Sequence, residues 1–199
     1  MIVKAAHNWK TNADLIADVA QLGYLQKEDR ILDPTFGRGL WWTQWQPAHL
    51  HKHDLLLDGV DFRNLPYEDG YFDSIAFDPP YVSVGGRKTT TIPDFHNRYG
   101  MTDAPSSPAS LQILINEGLT EMYRLLRKRG ILLCKVQDYI SSGKFWDGTH
   151  WTTDHAYHLG FEKVDRLEHM GSTRAQPSGR RQVHARRNLS TLFVFRKEH

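Results

Sequence analysis

The sequence is short of several things, and each absence excludes a class of protein. It carries one cysteine, Cys134, so neither an internal disulfide nor a cysteine-rich zinc site can form. No apolar run approaches the roughly 20 residues needed to span a bilayer. The opening stretch MIVKAAHNWK lacks the long apolar core of a secretion signal, which gives the expectation of a cytoplasmic protein. Internal repeats and low-complexity tracts are missing as well. Net charge is only +2, so a charged partner has to be argued from where the charges cluster. What remains is an ordinary globular composition, 40% hydrophobic and 24% charged over 199 residues. That length supports one domain spanning residues 1–199 with a real core.

The apolar pattern alternates between two periods. From Thr11 to Tyr24, Leu15, Ile16, Val19 and Leu22 recur at helical spacing, and Thr11 with Asp14 is set up as a capping box. Arg30 to Asp33 reads as a short strand that stops at Pro34. Ser74–Phe77, Ile131–Val136 and Leu192–Phe195 read as further strands. Ser110 to Lys128 places Leu111, Leu114, Ile115, Leu119, Met122, Leu125 and Leu126 on one helical face, with RKRG expected as its cationic, glycine-broken end. Strands alternating with amphipathic helices predict an α/β fold, a mostly parallel sheet with helices on both faces. Cys134, inside ILLCKV, reads as a small buried hydrophobe. Two stretches fit no element, Val82–Pro108 and Gly171–Asn188, and loops of that length are usually functional.

Two short motifs carry the chemistry. In LDPTFGRGLWW a strand ends in Asp33, and Phe36-Gly37-Arg38-Gly39 makes a tight turn where the backbone can approach a ligand. As a dinucleotide fingerprint this turn fails, because the third glycine of GxGxxG falls at Trp42. Forty-five residues after Asp33 comes Asp78-Pro79-Pro80-Tyr81, at the end of another apolar run. An aromatic exocyclic amine is a poor nucleophile, since its lone pair is delocalised into the ring. A carboxylate at Asp78 and the Pro79 carbonyl can accept its two N–H bonds and draw it toward tetrahedral geometry, while the paired prolines hold both acceptors rigid. Tyr81 offers a flat face for a base taken out of its stack.

FGRG followed by DPPY resembles the paired motifs of the S-adenosylmethionine-dependent DNA amino-methyltransferases, which methylate adenine N6 or cytosine N4. The resemblance covers most of residues 7–140, and more loosely the final strands. It implies a Rossmann-like class I methyltransferase fold with an antiparallel C-terminal strand, and S-adenosylmethionine as cofactor. By the same resemblance Asp33, Pro34, Thr35, Phe36, Gly37 and Gly39 lie around the methionine end of the cofactor. Asp54 binds the ribose, with Asp58 as the alternative. Asp61 meets the adenine amine with Phe62 beside the ring, and Asp78 lies between cofactor and target. HNWK lies where related enzymes close over the methionine end, although Trp9 also reads as core.

Nucleic-acid contact is expected from the two unassigned loops. GSTRAQPSGRRQVHARRN holds Arg174, Arg180, Arg181, Arg186 and Arg187 and no acid, which suits phosphate. The loop after Tyr81 adds Arg87 and Lys88, with glycines that let it close over a flipped base. His49, His51 and His53 alternate, but methyl transfer from a sulfonium needs no metal and they read as ordinary surface histidines. Trp41, Trp42 and Trp45 read as packing.

Asp at the first position of DPPY leans toward adenine, since cytosine relatives more often have serine there, and away from the protein-glutamine methylating relatives with NPPY. Only about 60 residues follow the strand at Ile131, too few for the large recognition domain of many relatives. Recognition then falls to the loops, to a protein partner or second copy, or the substrate is structured RNA. DNA is favoured over RNA. A non-catalytic nucleic-acid-binding subunit of the same fold is the other reading.

Overall fold

The computed structural model describes residues 2–5, 9–81, 105–171, 182–185 and 188–199. Helix α1 spans Asn12–Gln21, and its start is the expected capping box: the Thr11 hydroxyl accepts from the Asp14 N–H while the Asp14 carboxylate accepts from the Thr11 N–H. β1 is Arg30–Asp33, β2 is His49–Lys52 and β3 is Phe72–Phe77. Helix α2 spans Pro108–Leu125 and β4 Leu126–Val136. A small hairpin, β5 (Tyr139–Ser141) and β6 (Lys144–Trp146), precedes α3 (Gly148–Leu159). β7 (Phe161–Met170) and β8 (Leu189–Lys197) complete the chain.

Six strands form one sheet in the order β2-β1-β3-β4-β8-β7. β1, β2, β3 and β4 pair in parallel, and β8 runs antiparallel to both β4 and β7. β8 is therefore the strand of opposite direction, as expected. Alternate residues along each strand feed two cores. Leu32, Ile75, Phe77, Leu132, Cys134, Phe193 and Phe195 pack with Leu111, Leu119 and Met122 of α2. Ile31, Ala76, Leu133, Leu192 and Val194 pack with Leu15, Ile16 and Val19 of α1. Both faces are covered, which explains why the central strands read as continuous apolar runs. At Gly118 of α2 a Cβ would lie 2.6 Å from the Phe77 ring and 2.9 Å from Phe62, so this glycine sets how closely helix and sheet approach.

The end of α2 departs from the sequence expectation. The helix stops at Leu125, and RKRG belongs to β4. Leu126 pairs with Phe72 across the sheet, Arg127 bonds Asp73, and Arg129 takes a positive φ of 62°. Register and ion pairing to β3 outweigh helix continuation here. The glycine turn leads into one short 3-10 turn, Leu40–Trp42.

Strand order fixes where a ligand can sit. From β1 the chain goes to β2 on one side and then to β3 on the other, so β1 and β3 flank a topological switch point. In open α/β sheets, ligands bind in the crevice outside the carboxyl ends of such strands. Asp33 ends β1, and Asp78 follows β3 directly.

Candidate active site

An open crevice of about 180 Å³ lies at that switch point. Asp33, Thr35, Phe36, Gly37 and Asp78 line it, together with Asn12, Arg38, Leu40 and Trp41. The two motifs, far apart in sequence, thus share one cavity wall. Thr35 ties them together: its hydroxyl donates to Asp33 Oδ1 at 3.4 Å and accepts the Asp78 N–H at 3.0 Å.

Asp33 is buried and has a bond to each oxygen. Oδ1 accepts the Thr35 N–H at 3.1 Å, and Oδ2 accepts the Trp42 indole N–H at 2.7 Å. Burial nonetheless dominates, and with the nearby Asp78 charge it pushes the carboxyl up to about 7 against those hydrogen bonds. A carboxyl in that state is poised to ionise when a cation arrives.

The glycine turn is shaped by its two glycines. Gly37 (φ 53°) and Gly39 (φ 67°) both take the left-handed conformation. A Cβ on Gly39 would lie 2.5 Å from the Phe36 ring, whereas one on Gly37 would meet nothing closer than Thr35 O at 3.9 Å. Gly39 is therefore required by the turn's own packing, and Gly37 leaves open backbone on the crevice. The Phe36 N–H donates to His53 O, and the Gly37 N–H to Asp54 Oδ2 at 3.1 Å. This bond brings Asp54, just beyond β2, against the turn. Asp58 instead accepts from the Asp54 and Val60 N–H groups and pairs with His53 Nδ1 at 2.6 Å.

Other residues named from the sequence fall outside the crevice lining. Asp61 is clasped by Arg63, whose Nε and Nη2 donate to its carboxylate at 2.6–3.1 Å. Those bonds hold its carboxyl below the usual range despite partial burial. Phe62 is a core residue, its ring edge-on to Phe77 at 5.2 Å. Pro34, Pro79 and Pro80 are buried, and Tyr81 is half-buried. The Tyr81 hydroxyl donates to Asp78 Oδ1. Trp9 is buried, its indole N–H on Asp18 at 2.8 Å; His7 and Asn8 lie outside the described residues. So do Arg87, Lys88, Arg174, Arg180, Arg181, Arg186 and Arg187.

Of the three alternating histidines, His49 is exposed, and the other two serve packing and hydrogen bonding. His51 meets Tyr67, Tyr71 and Phe72 edge-on, and His53 bridges Asp58 and the Tyr67 hydroxyl. Among the described residues no group of three His, Cys, Asp or Glu side chains is arranged to hold a metal. Likewise, among the described residues no helix is long and apolar enough to cross a membrane.

Sequence reasoning missed three contributors. Trp42, read as packing, also holds Asp33. Asn12, the first residue of α1, lines the crevice. Lys135 is buried on β4, its Nζ 5.8 Å from the centroid of the Tyr81 ring. Its signal was in plain view: a lysine inside the apolar run ILLCKV needs a polar partner.

No family model matches the sequence, and no curated protein matches it. Solved structures do match in shape. A protein of Bacillus halodurans C-125, provisionally named a methyltransferase, superposes with a TM-score of 0.52 at 13% identity, covering 92% of this chain and 99% of that one. A Galdieria sulphuraria protein, provisionally named a sarcosine dimethylglycine methyltransferase, gives 0.51 at 12% identity, covering 94% and 85%. The fold is the Rossmann-like methyltransferase fold. A provisionally named DNA modification methylase of Thermus thermophilus matches with a TM-score of 0.48 at 14% identity over 70% of this chain, and another structure of that protein is complexed with S-adenosyl-L-methionine. This chain spans about half of that protein's length, 52%.

The crevice offers two carboxyls, a hydroxyl and open backbone at Gly37. With Arg38 and Asn12 also on the lining, this set fits the methionine end of S-adenosylmethionine, whose ammonium and sulfonium suit the carboxyls and whose carboxylate suits Arg38.

Proposed function

We propose that this chain transfers a methyl group from S-adenosylmethionine to the exocyclic N6 amine of adenine in DNA. One observation carries the reading: Asp78 of Asp78-Pro79-Pro80-Tyr81 lines the same crevice as Asp33 and the glycine turn. An amine bound at Asp78 and a cofactor bound at the glycine turn would meet there.

In this reading Asp33 holds the ammonium of the cofactor, with Pro34 and Thr35 fixing its approach. Phe36, Gly37 and Gly39 form the turn that covers the methionine end. Asp54 takes the ribose hydroxyls, and Asp61 the adenine amine, backed by Phe62 from the core. The bound cofactor supplies an electrophilic methyl group, whose bonding electron pair stays with sulfur on transfer. Asp78 and the Pro79 carbonyl accept the two N–H bonds of the target amine and aim its lone pair at that methyl. Asp78 then takes up the proton that the methylated nitrogen releases, and passes it to solvent. Pro79 and Pro80 keep the acceptors from rearranging, and Tyr81 supports the base from its face.

The arginine-rich segment and the loop after Tyr81 are proposed to grip phosphate through Arg87, Lys88, Arg174, Arg180, Arg181, Arg186 and Arg187. A second copy or another protein would extend recognition. The reading carries a cytoplasmic setting with it.

The test is transfer of a tritiated methyl group to duplex DNA, single-stranded DNA and structured RNA, followed by nucleoside analysis. Label in N6-methyladenine of DNA is the expected result. Label in RNA or in N4-methylcytosine would keep the chemistry and change the substrate. Cofactor binding without transfer to any of these would favour a non-catalytic subunit.

A further inference from the structure

Lys135 is 5% exposed, on a strand whose other residues from Leu132 to Val136 are apolar and buried. Alternation along β4 puts it on the same face as Leu133, toward α1. Burying an ammonium is costly unless it is used. Here Nζ donates to Asn12 Oδ1 at 2.9 Å and lies 5.8 Å from the centroid of the Tyr81 ring. Asn12 lines the crevice beside Asp33 and Asp78, and Tyr81 is the residue whose hydroxyl bonds Asp78. The ammonium thus bonds the crevice wall through Asn12 on one side and lies near the ring that carries an Asp78 hydrogen bond on the other.

We propose that Lys135 is a positioning residue for Asp78, its ammonium anchored by Asn12 near the Tyr81 ring so that the Asp78 carboxylate stays charged beside Asp33. The need arises from crowding. Asp33, from β1, shares Thr35 with Asp78 and adds negative charge beside it once it ionises, above about 7. Cys134, from β4, is a buried neutral thiol near Asp78, pushed up by burial and by that charge. Tyr81 contributes a hydroxyl but no charge. Lys135 supplies the opposing charge: burial lowers its own pKa, and the field of Asp78 acts in the other direction. From β7, buried His169 faces this lysine. Its Nε2 has no hydrogen-bond partner among the described residues, and burial together with the Lys135 charge lowers its pKa, with the Trp9 backbone and Asp14 of α1 opposing. Histidine stays neutral, and the positive charge of the cluster rests on Lys135.

The inference rests on the methyl-transfer reading, so the experiment separates the two. Aspartate side-chain carboxyls are labelled with carbon-13, and the Asp78 resonance is assigned by its loss in Asp78→Asn. Its titration midpoint is compared in wild type, Lys135→Met and Lys135→Arg. The expected result is a midpoint raised by about one pH unit or more in Lys135→Met, the loss of an opposite charge nearby, and restored toward wild type in Lys135→Arg. The acid limb of the methyl-transfer rate should move the same way, with cofactor affinity unchanged. An unmoved Asp78 midpoint in folded Lys135→Met overturns the proposal. If that variant does not fold, Asn12→Ala frees the ammonium without removing it. A smaller upward shift then supports the proposal, and an unmoved midpoint overturns it. Should no nucleic acid be methylated, the functional reading fails while the titration still decides the role of Lys135.

Discussion

β3 carries an acid at each end, and the two live under opposite regimes. Asp73, near its start, has three bonds: from the Arg30 N–H at 2.8 Å, from Arg30 Nε at 3.4 Å and from Arg127 Nε at 2.6 Å. Those donors hold its carboxyl below the ordinary range. Asp78, just past the other end, sits beside a second acid, Asp33, which burial pushes up to about 7. At the amino end of the sheet the arrangement serves stability, joining β1, β3 and the start of β4. At the carboxyl end Asp33 also accepts three hydrogen bonds, but from the neutral Thr35 and Trp42 in place of two arginines, and a buried carboxyl held up in this way marks a candidate functional site. Four measurements can break or sharpen that contrast.

The largest effect belongs to Asp78. Asp78→Ala removes the proposed acceptor of the target amine, and turnover should fall at least ~100-fold, comparable to losing one preorganised polar contact. Cofactor affinity, read by calorimetry, should change much less. Wild-type turnover in this variant would sink the assignment.

Asp33 comes next, through pH. Its folded-state value of about 7 stands above the ordinary 3.8. Between those values the folded chain keeps a proton that the unfolded chain has released, so the stability contributed by this group falls as pH rises. Asp33→Asn cannot titrate. Urea denaturation of both proteins should therefore show wild type losing ground to the variant from about pH 4 to about pH 7, by up to about 1.4 kcal/mol per pH unit. Parallel stability curves would mean that Asp33 is already ionised in the folded protein. In wild type, cofactor affinity should rise with pH up to about 7, because a bound ammonium favours the charged form.

How much of this was legible differs between the two halves of the chain. β1, the α1 capping box and the two-faced strands could be read directly, because apolar period and cap chemistry agree there. From Tyr139 to Met170 the sequence offers little to read. α3, GTHWTTDHAYHL, buries only Gly148, Thr152 and Ala156, a stripe of small residues that gives no apolar signal. β7 buries Phe161, Leu167 and His169, and an irregularity between Lys163 and Asp165 breaks its alternation. In the site, Asp33, the glycine turn and Asp78 were legible because they sit at strand ends. Asn12 and Trp42 were not, since their roles come from tertiary contacts, and Lys135 shows in the sequence only as a lysine in an apolar run, its partner Asn12 lying 123 residues away.

A third measurement addresses the turn. Gly39→Val brings a Cβ to within 2.5 Å of the Phe36 ring at a φ of 67°, so both packing and backbone oppose it. Cofactor affinity should drop about tenfold or more, the cost of roughly 1.4 kcal/mol. Gly37→Ala, with open space at its Cβ, should cost less. Equal losses in the two variants would show that backbone strain alone, and not the Phe36 contact, shapes the turn.

The smallest effect is expected at the stabilising end. Asp73→Ala removes one backbone and two side-chain contacts, but Arg30 and Arg127 are 44% and 48% exposed and return to water. The ion pairs therefore contribute little, and the loss should be about 1 kcal/mol, mainly the bond to the Arg30 N–H. Asp73 has a depressed carboxyl, so its contribution is present above the ordinary carboxylate range and lost as pH falls through it. The difference between wild type and Asp73→Ala should accordingly shrink in acid, the reverse of the trend at Asp33. Turnover should stay at the wild-type level. If turnover falls with Asp73→Ala, β3 transmits changes from its first residues to Asp78, and the two ends act as one unit instead of as separate stabilising and functional regions.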